Sequence, residues 1–233
     1  MRKPGLTCIS LVFFLVTGFL NPLFSVKPQR SVSDQDDYLI LNGKLWRNLY
    51  LGIKGTPYFL SGEYLTGDIT FNGKVFRDKY IRYDLFNDEV VLWVNSSTTL
   101  ILNKEMVDEF TINYMDNKYH VINMGEDSAG LMNGFVVEYY EGPTALYVKY
   151  RKEIEILGVD NRYDLFIQMH KIYIRKDGEL IQISGSGQLM RLLADRKTEL
   201  KKYIRQNKLT IMKSEPQTFI LLLKYYDSLR HRD

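Results

Sequence analysis

Cysteine is almost missing from this 233-residue chain: Cys8 is the only one. It precedes the apolar run at residues 9–20, whereas a lipid-bearing cysteine would follow such a run at the cleavage point. If the start is removed as a signal peptide, no thiol remains, which excludes disulfides, thiolate metal sites and cysteine nucleophiles. Histidine is nearly as scarce. His120, His170 and His231 fall on separate predicted elements, none with a second His or Cys at ligand spacing, so no metal centre is predicted. His170 reads as a surface or edge residue. Nucleophile-elbow and P-loop signatures are also lacking; Ser184-Gly185-Ser186-Gly187 reads as a strand-to-helix connection with a Ser cap. No catalytic residue and no cofactor are therefore assigned. A long apolar stretch is missing too, because residues 9–20 fall short of the roughly 20 residues a spanning helix needs.

The start has the order of a secretory signal: Arg2 and Lys3, the apolar run, an Asn21-Pro22 break and Ser25 at the expected cut. The chain thus divides into a signal peptide at 1–25, a polar flexible linker at 26–37, an antiparallel β domain at 38–184 and a helical unit at 185–233. Residues 1–25 hold two of the 31 basic residues and none of the 28 acidic ones, leaving a formal charge of +1. That near-neutrality argues against a nucleic-acid partner. The local basic excess lies after residue 190, with eleven Lys/Arg against five Asp/Glu.

What is abundant is aromatic: 17 Tyr and 12 Phe, which suit half-buried pleated surfaces. Asn42-Gly43 and Asn72-Gly73 each lie between apolar residues and before a Lys, and both read as two-residue hairpin tips, as do Asn87-Asp88 and Asp177-Gly178. Strands are expected at 80–86, 89–94, 99–102, 109–114, 119–123, 135–140, 144–151, 165–171, 172–176 and 179–184. The run at 90–94 reads as a central strand covered on both faces, and Leu146, Val148 and Tyr150 alternating with Tyr147, Lys149 and Arg151 as one wet on one side. Residues 125–134 read as a loop. After residue 187 the apolar period becomes helical. One amphipathic helix is expected over 188–208 with Leu189, Leu193, Leu200 and Ile204 inward, and another from a Ser214–Gln217 capping box with Phe219, Leu222, Leu223, Tyr226 and Leu229 inward. The fold class predicted is mainly β (α+β): a curved antiparallel meander or half-barrel followed by two C-terminal amphipathic helices.

Arg-Tyr-Asp-Leu-Phe occurs at 82–86 and again at 162–166, but the flanks differ, and neither Asp84 nor Asp164 has a partner acid at defined spacing. Asn95-Ser96-Ser97 fits an N-glycosylation sequon. The stretches Gly67-Asp68-Ile69-Thr70-Phe71-Asn72-Gly73-Lys74-Val75-Phe76, Tyr139-Tyr140-Glu141-Gly142, Leu146-Tyr147-Val148-Lys149 and Tyr225-Tyr226 make the chain resemble the secreted β-rich proteins of Bacteroidetes. The resemblance implies export in a two-membrane bacterium and carries no catalytic residues. In that setting Asp127-Ser128-Ala129 resembles an O-glycosylation site at Ser128, with a second match at Ser228. The expected function is an exported, periplasmic or envelope-associated binding or assembly component that offers sheet edges and exposed Tyr to an envelope protein or glycan. The alternative is a periplasmic carrier of an apolar ligand or lipid. The basic helix at 188–208 is a candidate for peripheral contact with anionic lipid.

Overall fold

The computed structural model describes residues 38–125, 132–156 and 164–230. Residues 1–37, read above as signal and linker, Ser128 and His231 lie outside them.

Eleven strands form one open, curved, antiparallel sheet. They are β1 (Gly43–Leu45), β2 (Leu65–Phe71), β3 (Lys74–Asp84), β4 (Glu89–Asn95), β5 (Thr98–Leu102), β6 (Val107–Tyr114), β7 (Asn117–Asn123), β8 (Phe135–Tyr140), β9 (Thr144–Glu155), β10 (Leu165–Lys176) and β11 (Glu179–Ile183). Their spatial order is β1-β5-β4-β3-β2-β6-β7-β8-β9-β10-β11. The chain runs outward through β2 to β5, doubles back through a 3-10 turn at Lys104–Met106, and lays β6 against the free side of β2 before a second meander to β11. Register shifts between Gly67/Ile69, Thr70/Phe71, Trp93/Asn95 and Glu138/Tyr140 mark bulges, the local insertions that bend a sheet.

Two predicted hairpin tips have the required backbone, with positive φ at Asn72, Gly73, Asp177 and Gly178. Asn87-Asp88 closes a longer turn, because β3 stops at Asp84 instead of Phe86. Asn42-Gly43 makes no hairpin. Gly43 instead starts edge strand β1 against β5, where a Cβ would run into the Ile101 carbonyl, so the missing side chain permits close approach. The strands read separately at 165–171 and 172–176 are one, β10.

The inner face carries one large core. It joins Phe59, Tyr83, Phe110, Phe135 and Val148 to Leu189, Leu193, Leu200, Phe219, Leu222, Leu223 and Tyr226 of the helical unit. The outer face is mostly open, and β9 is wet there at Arg151 as its alternation suggested but dry at its start. Ala145 and Tyr147 join Met132, Val136 and Tyr173 in a second, smaller core. Strand β4 departs from its reading the other way: Val90, Val91 and Leu92 are buried, whereas Trp93 emerges on the outer face.

The helix expected over 188–208 is broken. Helix α1 (Ser186–Leu192) ends at Leu193, a 3-10 turn follows at Ala194–Arg196, and α2 spans Lys197–Gln206. The break places Asp195 where its carboxylate accepts the Tyr226 hydroxyl. Nor does Ser214 cap the next helix. Glu215 holds that position without a side-chain bond, a 3-10 turn covers Pro216–Phe219, and α3 runs Ile220–Arg230. Buried Asp227 of α3 accepts from the Tyr140 hydroxyl (2.8 Å) and the Thr144 amide (3.1 Å), and Arg230 pairs with Asp177 at the β10–β11 turn (2.8 Å). Tyr203 and Tyr225 stack at 3.9 Å between α2 and α3.

Candidate functional site

Side chains of alternate residues share a face, and the register of four neighbouring strands aligns a row on the outer one. Thr99 of β5 faces Trp93 of β4, Trp93 faces Tyr80 of β3, and Tyr80 faces Thr66 of β2. The row continues to β6, where the Asn113 amide donates to the Thr66 hydroxyl (3.4 Å). Tyr80 and Trp93 meet edge to face at 5.7 Å, yet remain 48% and 40% exposed.

One rung along, Arg82 holds the row's border. Its guanidinium lies 3.9 Å from the Tyr64 ring, 4.2 Å from Tyr58 and 4.9 Å from Trp46. It donates to the Tyr64 hydroxyl (2.6 Å) and the Gly62 carbonyl (3.2 Å). Burial pushes Tyr58 up to about 12, against the pull of Arg82. The cage is thus filled by the protein's own cation, which stitches the segment preceding β2 onto β3. Tyr64 in turn shares a hydrogen bond with the Thr99 hydroxyl (3.3 Å), connecting cage and row.

A polar cleft of about 970 Å³ opens at the C-terminal end of β5, lined by Asn42, Asn87, Glu89, Asn103, Lys104 and Asn123 among others. Beside it Asp88 collects the Tyr83 hydroxyl (2.6 Å), the Lys104 ammonium and the Lys149 ammonium (3.0 Å). Burial works against the Asp88 carboxylate, but Lys149, Lys104 and Tyr83 outweigh it and hold its pKa below the ordinary value. Burial lowers Lys149, and the pull of Asp88 offsets this only in part. Lys149 also donates to the Phe135 carbonyl (2.8 Å). Gly134 has φ of 70°, and a Cβ there would run into Asp88 and Lys104. These groups saturate one another and pin the cleft wall.

His120, solitary in the sequence, bridges two carboxylates across three strands: Nδ1 lies 2.9 Å from Glu138 and Nε2 3.0 Å from Glu109. Thr70 donates to the far oxygen of Glu109 (3.2 Å). His170 contacts the Lys213 carbonyl at 2.7 Å. No group of three or more His, Cys, Asp or Glu suited to a metal occurs among the described residues. Asp84 is spent on its own turn, accepting from the Phe86 and Asn87 amides (2.8 and 3.0 Å). The two Arg-Tyr-Asp-Leu-Phe copies do meet, through Phe86 and Phe166 around Tyr50, as an aromatic contact and not an acid pair. Asn95 of the sequon accepts from the Ser97 amide and hydroxyl in the β4–β5 turn. Ser184 caps nothing; its amide donates to Gln188, and Gly185 precedes α1.

Sequence reading singled out neither Trp93, Tyr80 nor Arg82. The available signal was Trp93 at the polar end of an otherwise apolar run. No family model, curated protein or solved structure matches the chain.

Proposed function

We propose that the protein is an exported, envelope-associated component without catalytic activity of its own, which binds its partner through the Thr99–Trp93–Tyr80–Thr66 row. The observation that carries this reading is the pair of exposed, register-aligned rings in a face where the rings of Tyr147 and Tyr173 are buried. Large aromatics left in water at a strand surface forfeit their burial energy, and partner contact recovers it. The polar clusters support binding over catalysis, because Asp88, His120 and Asp84 are each committed to internal contacts. Carriage of an apolar ligand draws less support. Phe59, Tyr83, Phe110, Phe135 and Tyr150 pack ring against ring at 5.0–6.2 Å on the inner face where such a ligand would sit. Export rests on the composition of residues 1–25.

A photo-crosslinking phenylalanine analogue at position 80, activated in living cells, tests the face. Adducts are expected at 80 and not at exposed Lys208. An equal yield at both positions, or none at 80, would remove the proposal.

A further inference from the structure

Charge and hydrogen-bonding chemistry narrow the occupant of this row, given the outer-face reading on which this step rests. We infer that it is an uncharged glycan. The row itself contains no charged side chain: it runs Thr99, Trp93, Tyr80, Thr66, Asn113. The charged groups at its borders are engaged within the fold. Arg82 is enclosed by three rings and two acceptors. Lys118 pairs with Asp68 at 3.3 Å, and His120 lies between Glu109 and Glu138. An ionic partner would find no charged side chain in the row itself to meet, whereas a neutral one loses nothing.

The alternation of groups separates a glycan from a protein. A protein interface has a contiguous desolvated core ringed by polar groups. Here two rings stand between hydroxyl and amide groups along a line. That arrangement matches a sugar chain, whose C–H faces pack on aromatic rings while its hydroxyls reach sideways to hydroxyls and amides. Thr66, Thr99 and Asn113 use only part of their hydrogen-bonding capacity internally, so each retains a donor or acceptor for a ligand. The perpendicular ring planes, 85° apart, let one ring lie flat under a sugar while the other borders it. From Thr99 to Thr66 the row crosses three strand spacings, about 14 Å, the reach of a short oligosaccharide laid across the strands.

The test uses the full exported chain in affinity electrophoresis through gels containing dextran, laminarin, galactomannan, xylan, or the neutral polysaccharide fraction of the host envelope. Retardation by at least one neutral polymer is expected, insensitive to salt. Trp93→Ala and Tyr80→Ala should each weaken it about tenfold or more, the loss expected when a central aromatic contact is truncated. Thr66→Val, which keeps the shape and deletes the hydroxyl, should weaken it several-fold, and Met115→Ala at the β6–β7 turn should leave it unchanged. Circular dichroism of each variant establishes that it is folded. Absence of retardation in every gel, retardation only by anionic polymers, or retardation indifferent to Trp93→Ala and Tyr80→Ala overturns the inference. A protein adduct at position 80 with no retardation overturns the glycan alone and leaves the binding face standing. No adduct and no retardation remove both.

Discussion

Asp88 shows what a single carboxylate does when two ammoniums share it. Its folded-state pKa is depressed, so its contribution to stability is complete above the ordinary carboxylate value and is lost as pH falls through the lower folded value. Asp88→Asn leaves Lys104 and Lys149 without their common acid and should cost about 3 kcal/mol at neutral pH, the lower end for breaking a buried pair. The gap between the wild type and the variant should narrow below about pH 4. Urea titrations across pH 3–8 check this, and a gap independent of pH would refute the assignment. Asp84, raised by burial, has the opposite sign and gains on protonation, so comparison with the variant isolates Asp88. Little of this was legible from sequence. Asp88 reads as a turn residue because its lysines lie 16 and 61 positions away, and His120 reads as solitary for the same reason.

Elements were more legible, because their determinants are local. Asn72-Gly73 and Asp177-Gly178 provide the positive φ that a tight hairpin needs. The same Asn-Gly pair at 42–43 stays extended because a tertiary contact, the approach of Gly43 to Ile101, overrides it. The helical period identified the inward face of α2 and α3 correctly: Leu193, Leu200, Phe219 and Leu223 are fully buried, while Lys197, Lys201 and Arg205 are exposed. It missed the interruption at Leu193 because Leu189 and Leu200 fall on one face whether or not the helix is continuous. Leu200→Ala or Phe219→Ala should each cost about 2–5 kcal/mol, from lost burial and the cavity left behind. Lys201→Gln should stay within about 0.5 kcal/mol. Thermal melts decide: unchanged melting temperatures for both truncations would mean that the helices are not docked as described.

At the scale of the molecule, periodicity indicates which residues face inward but not which strands are neighbours. The antiparallel meander and its helical close were visible in the sequence, whereas the return of the chain to pair β6 with β2 was not. That pairing depends on bulges and on Gly67, whose missing side chain makes room for the Thr111 carbonyl. The outer row was invisible for the same reason: Thr66, Tyr80, Trp93 and Thr99 become a line only once four registers are set.

The β2–β6 pairing also governs how the molecule would yield under load. It lies in the middle of the sheet, with five strands on the β1 side and six on the β11 side, while residue 43 begins one edge and α3 follows the other. Tension applied at residues 38 and 230 therefore meets the sheet at its two borders. On the C-terminal side it detaches α3 and peels β11, β10 and β9 in turn, loading hydrogen bonds a few at a time. On the N-terminal side, once β1 leaves β5, the next strand in the chain is β2, held between β3 and β6, so two ladders resist together. Extension in an optical trap should show small steps from the C-terminal border and one larger event as β2 is drawn from between β3 and β6; a trace of small steps alone would contradict this. The row on β5-β4-β3-β2 would then lose its Thr66 end first, with β2, so a ligand spanning it would be released by force from that side.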